Sequence, residues 1–310
     1  FTRFVLAGLS VSLAMAVLLS GRPRPQPEPR RSRPSSPLLH DDALTAGDGV
    51  RLPLVAWEAS KPAAIAIGLH GYGDYRRAFR LAGPWFAQHG VSMYAYDQRG
   101  FGETESRGEW PGAADLITDL AEAVRLLRER HAGLPLIVVG ESMGGAVALA
   151  GIGGGEVSGV DHLILAAPAV RGDIPLRELH DLALRLGALA MPWLAVALRR
   201  GSSPWLDKGE AARLADDPLI LRQISVGSYD GLVELADLAS AEPKAEIPPT
   251  LLMYGELDAT IPRRPIDDLA AQLNGVATKF YPQRHHLLLH EQDAHVVFED
   301  CVQWLDLPAR

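Results

Sequence analysis

From about Leu52 onward, short apolar runs rich in β-prone residues alternate with longer helical patterns. The runs are AIAIGL around 65–69, SMYAYD (92–97), LPLIVVG (134–140), HLILAAP (162–168), TLLMYG (250–255) and TKFYP (278–282). Continuous apolar runs of this length fit strands buried on both faces. Between Asp115 and Arg130, apolar residues recur at Leu116, Leu120, Val124 and Leu127, which is one face of a helix. The alternation predicts an α/β fold with a mostly parallel central sheet flanked by helices. Ligands of such sheets bind beyond the carboxyl ends of the strands, so the polar residues directly after each run carry the interest.

Two stretches break the pattern. From about 171 to 248 no strand is evident. Instead PLRELHDLALRLGALAMPWLAVALRR puts apolar residues on most helical faces, with Pro192 expected to kink or split it. An inserted helical cap over the sheet fits, one face on the body and another toward an apolar substrate. An ordinary bundle packed on itself is the plainer alternative. Phe4 to Ser20 is an uncharged apolar run, followed by a stretch rich in Pro, Arg and Ser. The run suits a signal peptide, a signal anchor or a transmembrane helix, and the stretch after it suits a linker. The expected map is a hydrophobic signal or anchor segment over 1–21, a linker over 22–45, and one folded domain over 46–310 with its cap at about 171–248. Association with the membrane, or export to the cell envelope, follows from the first segment. Five arginines just after the run (Arg22, Arg24, Arg30, Arg31 and Arg33) favour keeping that side cytoplasmic; a basic region ahead of the run would argue the opposite, so sidedness stays open.

Composition adds exclusions. The 310 residues are 47% hydrophobic and carry a net charge of −8, with neither a basic stripe nor a zinc-knuckle spacing to suggest nucleic acid as a partner. A single cysteine, Cys301, rules out an intrachain disulfide and a cysteine-based metal cluster. With Val297, Phe298 and Trp304 it reads as a small buried residue of a C-terminal helix. Oligomeric state is not legible.

The strand ends converge on one rim of chemistry. They carry His70-Gly71-Tyr72-Gly73-Asp74, Asp97-Gln98-Arg99-Gly100, Gly140-Glu141-Ser142-Met143-Gly144-Gly145, Glu256-Leu257-Asp258 and Gln283-Arg284-His285-His286. The third is G-x-S-x-G between a strand and a helix. That sharp turn tolerates little but glycine beside the serine and lifts its hydroxyl above the sheet. A serine needs a base to take its proton. For this turn the partners follow in the order acid, then histidine, which Asp258 and His286 satisfy. Backbone N–H groups of Met143 and Tyr72 are the expected oxyanion donors.

These segments together resemble the alpha/beta-hydrolase superfamily, and within it the monoacylglycerol lipase/lysophospholipase-like branch, also labelled serine aminopeptidase-like. The resemblance rests on HGYGDY (70–75), YDQRGFG (96–102), GESMGG (140–145), YGELDATIP (254–262) and YPQRHHLLLHE (281–291), and runs from roughly Leu52 to the C-terminus. It implies a Ser142–Asp258–His286 triad, with the acid taken from Gly255–Pro262 and the base from the His ahead of Leu287–Leu289 and Glu291. It also implies an inserted cap at 171–248. Glu141 departs from the branch, where His or Asn often stands.

Rival readings sit beside these. His285 is the alternative base and Glu256 the alternative acid; His70 is expected to hold the oxyanion loop, and Asp97 and Arg99 to brace the rim. His290 and His295 lie one residue too far apart for the zinc-protease H-E-x-x-H, and no metal is expected. GIGGGE (151–156) reads as a loop, not a dinucleotide fingerprint, and no cofactor is implied. The expected activity is a serine hydrolase acting on carboxylic esters, most readily lipidic ones such as a monoacylglycerol or lysophospholipid, with Trp193 and Leu194 of the cap as substrate contacts. The alternatives are an aminopeptidase- or thioesterase-like hydrolase with the same triad, and a silent binding protein on this fold, which would be expected to have lost a triad member.

Overall fold

The computed structural model describes residues 36–172, 177–198, 203–241, 243 and 246–306. The hydrophobic segment 1–21 and most of the linker lie outside these residues. Strands β1 (Leu38–Leu39), β2 (Ala43–Thr45), β3 (Arg51–Trp57), β4 (Ala64–Leu69), β5 (Val91–Tyr96), β6 (Leu136–Glu141), β7 (His162–Ala166), β10 (Thr250–Gly255) and β11 (Ala277–Tyr281) form one sheet. Their order is β1-β2-β3-β5-β4-β6-β7-β10-β11. From β5 to β11 the pairs are parallel, while β1, β2 and β3 join antiparallel at one edge. The six apolar runs are the six parallel strands. Residues 38–45, counted with the linker from their composition, instead form β1 and β2. Two buried residues, Ala43 and Leu44, hold that edge in the core.

Side-chain alternation divides the core between the two sheet faces. Ile65, Ile67, Leu69, Leu136 and Val138 face helices α2 (Ala113–Arg130) and α3 (Met143–Gly154). Ala64, Ala66, Ile137 and Val139 face α1 (Ala82–Gln88) and α8 (Ala294–Leu305). The helix read from the sequence buries Leu116, Leu120, Val124 and Leu127 as its periodicity requires. Cys301 is buried in α8, 3.7 Å from the Met253 sulfur. The glycine-rich stretch 151–156 differs from expectation, because α3 continues through it to Gly154. A Cβ on Gly151 would lie 2.7 Å from Val157, so close packing of the helix, not a loop, requires that glycine.

Between β7 and β10 lie α4 (Arg177–Ala190), β8 (Ala195–Ala197), α5 (Lys208–Asp216), β9 (Gln223–Ser225) and α6 (Val226–Ala239); α7 (Arg263–Gln272) follows β10. The segment is helix-rich, and α4 stops just before Pro192. It does contain strands, however, since β8 and β9 pair antiparallel. Three-residue strands with half-buried side chains leave too short a pattern to read. Leu179, Leu182, Leu186 and Leu189 form an exposed stripe on α4.

Candidate active site

Strand β6 runs buried to Glu141 and turns directly into α3 at Ser142, whose φ of 51° and ψ of −114° mark a strained backbone. The turn leaves no room for side chains beside it. A Cβ on Gly140 would stand 2.6 Å from Gly145 Cα, and one on Gly144 would stand 2.1 Å from the Leu69 carbonyl oxygen. The Ser142 N–H donates to the Ala166 carbonyl at the end of β7, and its own carbonyl accepts from Ala146 and Ala169 N–H. The serine is thereby fixed to the sheet and to the helix together.

Ser142 Oγ lies 3.0 Å from His286 Nε2, and His286 Nδ1 lies 2.7 Å from Asp258 Oδ2. The Asp258 side chain is fully buried and accepts from the N–H groups of Thr260 and Ile261 as well. Those bonds hold the carboxylate in place, so the imidazole donates from Nδ1 and presents Nε2 as an acceptor to the serine hydroxyl. The arrangement can take a proton from Ser142 and return it. The rivals are elsewhere. His285 stacks on Trp205 at 3.6 Å and 7°, and Glu256 reaches Arg263.

Gly71 brings the loop after β4 against the elbow, since a Cβ there would lie 3.5 Å from Ser142 Cβ. His70 is buried and holds this loop. Its Nε2 accepts from Gln98 N–H, so its Nδ1 donates to the Gly71 carbonyl. Burial pushes the His70 pKa down, in keeping with that neutral tautomer. Tyr72 packs edge-on against Phe101 at 5.3 Å. Met143 is buried at the first turn of α3, where backbone N–H groups have no partner one turn earlier in the helix. Asp97 accepts from the Arg76 and Glu103 N–H groups, and Arg99 joins Asp48 to Asp119; both brace the rim. Trp193 and Leu194 sit in the turn after α4. Trp193 is exposed, and the Leu194 backbone bonds to Met191 and Val226.

Sequence reading missed a second cluster beneath this one. His290 is fully buried, with Nε2 2.9 Å from Glu141 Oε2 and Nδ1 2.8 Å from Glu210 Oε2. Arg213 donates to both Asp74 oxygens at 2.6 and 2.8 Å and to Glu210 at 2.8 Å. Arg80 pairs with Glu210 from the other side. The signal available in the sequence was Glu141 itself, a carboxylate at the end of an apolar strand, which demands a cation in the interior.

A family model described as serine aminopeptidase, S33, matches residues 60–293. The chain belongs to this family. It is an alpha/beta-hydrolase of the monoacylglycerol lipase-like kind and a serine ester hydrolase. Among relatives, it is 27% identical to a monoacylglycerol lipase of Mycolicibacterium smegmatis, over 83% of this chain and 93% of that one. It is 24% identical to a phospholipase of Bacillus subtilis, over 81% of this chain and 98% of that one. A soluble variant of the Saccharomyces cerevisiae monoglyceride lipase, solved with a substrate analogue, superposes with a TM-score of 0.71. That match has 20% identity and covers 91% of this chain and 98% of that one; at that identity the likeness speaks to the fold.

Proposed function

We propose that this S33-family enzyme hydrolyses lipidic carboxylic esters through an acyl-enzyme on Ser142. The observation that carries the reading is the unbroken chain Ser142–His286–Asp258, at 3.0 and 2.7 Å, on a strained elbow. His286 Nε2 takes the hydroxyl proton as Ser142 Oγ bonds to the ester carbonyl carbon. The carbonyl electrons move onto oxygen, which the N–H groups of Tyr72 and Met143 receive. The intermediate collapses, the C–O bond to the alcohol breaks, and His286 gives the leaving oxygen its proton. Water then attacks the acyl-enzyme with His286 again as base, the carboxylic acid leaves and Ser142 regains its proton. Asp258 holds the tautomer and stabilises the imidazolium without itself taking a proton.

Two features favour a lipidic acyl group. The relatives include a monoacylglycerol lipase and a phospholipase. In addition, the cap exposes an apolar stripe on α4 that continues to Met191 and Trp193. Two measurements test the reading. Ser142→Ala is expected to lose labelling by a fluorophosphonate and lose ester turnover; full labelling of that variant would overturn the nucleophile. A panel of p-nitrophenyl esters of rising chain length, beside a monoacylglycerol, a lysophospholipid, a thioester and an aminoacyl amide, is expected to favour the lipid esters. Preference for the amide or thioester would replace the substrate class while leaving the triad.

A further inference from the structure

Glu141 adjoins the nucleophile, and its side chain is buried. Its Oε2 would lie 4.0 Å from a Cβ on Gly71, the same position that would touch Ser142 Cβ at 3.5 Å. A carboxylate therefore sits under the loop that carries Tyr72, near where an ester carbonyl gains negative charge. Left alone, that charge would oppose the oxyanion across a low-dielectric interior. Its Oε1 has no hydrogen-bond partner among the described residues, and the cation in contact with Oε2 is His290. Glu210 is held differently. It also meets Arg213 and Arg80, so its charge stays paired whatever happens at His290.

We propose that His290 is a positioning residue that acts through Glu141. As an imidazolium donating from both ring nitrogens, it neutralises the carboxylate beside Ser142 and thereby keeps the elbow hospitable to an oxyanion. The inference rests on the Ser142 mechanism above. Carboxylate oxygens lie at 2.8 and 2.9 Å, one on each ring nitrogen; an ionised carboxylate can only accept, so with both glutamates ionised each ring nitrogen donates. The groups facing the ring and its partners are Glu141, Glu210, Arg213, Asp74, Arg80 and the neutral His70. With His290 charged, the buried anions Glu141, Glu210 and Asp74 meet the cations His290, Arg213 and Arg80, and Arg80 also reaches the more exposed Asp207.

The deciding experiment separates charge from packing. Turnover of a short p-nitrophenyl ester is measured per titrated active site for wild type, His290→Gln and Glu141→Gln/His290→Gln, and per mole of folded protein for Ser142→Ala. His290→Gln keeps a hydrogen-bonding side chain but leaves Glu141 uncompensated. It is expected to lose about a hundredfold in kcat, the scale of losing an oxyanion donor, with KM within about threefold of wild type. The double variant removes the stranded charge and is expected to recover about tenfold of that loss or more. A merely structural histidine would give no such recovery. If His290→Gln turns over near the wild-type rate, or the double variant is no better than the single, the proposal falls while the triad reading stands. If Ser142→Ala turns over normally, both fall. Should His290→Gln not fold, NMR of the 15N-histidine-labelled wild type decides. His290 is expected to hold protons on both nitrogens at pH 8, and a neutral ring at that pH overturns the proposal.

Discussion

His286 and His285 are neighbours with different surroundings, and the proposed mechanism gives them different parts. His286 lies between a buried carboxylate and the serine hydroxyl, whereas His285 lies flat against Trp205 with its N–H on Glu291. His286→Ala is therefore expected to cut kcat for a simple ester by at least about 10⁴-fold, as losing a triad base does. His285→Ala is expected to keep most of it, with some loss of stability from the vacated stack. Steady-state kinetics beside thermal melts separate the two, and the reverse ranking would move the base. The meeting of Ser142, His286 and Asp258 was legible in the sequence because a triad is a set of types in a known order. Glu210, Arg213 and Asp74 were not legible, because nothing local marks an ion pair between residues 139 positions apart.

At the scale of elements, the stretch from Trp205 to Leu221 behaves as part of the body. Asp207 N–H donates to the His290 carbonyl, Gln292 N–H to the Trp205 carbonyl, and Leu221 N–H to the Gly73 carbonyl. Asp207 caps α5 by accepting from the Gly209 and Glu210 N–H groups. The helix then delivers Glu210 and Arg213 inward, from adjacent turns of one face. Arg213→Leu leaves Asp74 buried and unpaired, which is expected to cost about 3–5 kcal/mol, read from urea unfolding. The pH dependence follows from His290, raised to about 10 by Glu141 and Glu210 against the opposing effect of burial. A histidine raised on folding stabilises fully below its unfolded value, near 6.5, and loses that contribution as pH climbs through the folded one. The stability gap between wild type and Glu141→Gln/His290→Gln is thus expected to narrow from about pH 7 to pH 10. A gap that widens over that range would contradict an imidazolium in the fold.

For the whole molecule, the sheet was legible because the parallel strands are mainly apolar runs, β11 with its exposed Thr278 and Lys279 being the weakest, and both core faces follow from simple alternation. The antiparallel strands β1, β2 and β3 escaped notice: two or three residues beside a Pro-rich stretch set no period, and Pro53 inside β3 masks its pattern. The short β8–β9 pair escaped for the same reason. Among the described residues no helix is long and apolar enough to cross a membrane, so the expectation of an anchor rests on Phe4–Ser20. Deleting residues 1–35 is expected to release the enzyme from the membrane fraction while leaving kcat on a soluble ester unchanged. Fractionation and kinetics of the 310-residue and shortened chains check this, and a 310-residue chain recovered entirely in the soluble fraction would refute the anchor.

The ion cluster also sets a rule for recombination between enzymes. Exchanging the whole 171–248 region for that of another hydrolase would strand Asp74 without Arg213 and His290 without Glu210, the partners that α5 supplies. The workable seams lie inside the region, ahead of Trp205 and after Leu221. A graft cut there would swap α4, β8, β9 and α6, and with them the apolar stripe, while the host kept its own counter-charges.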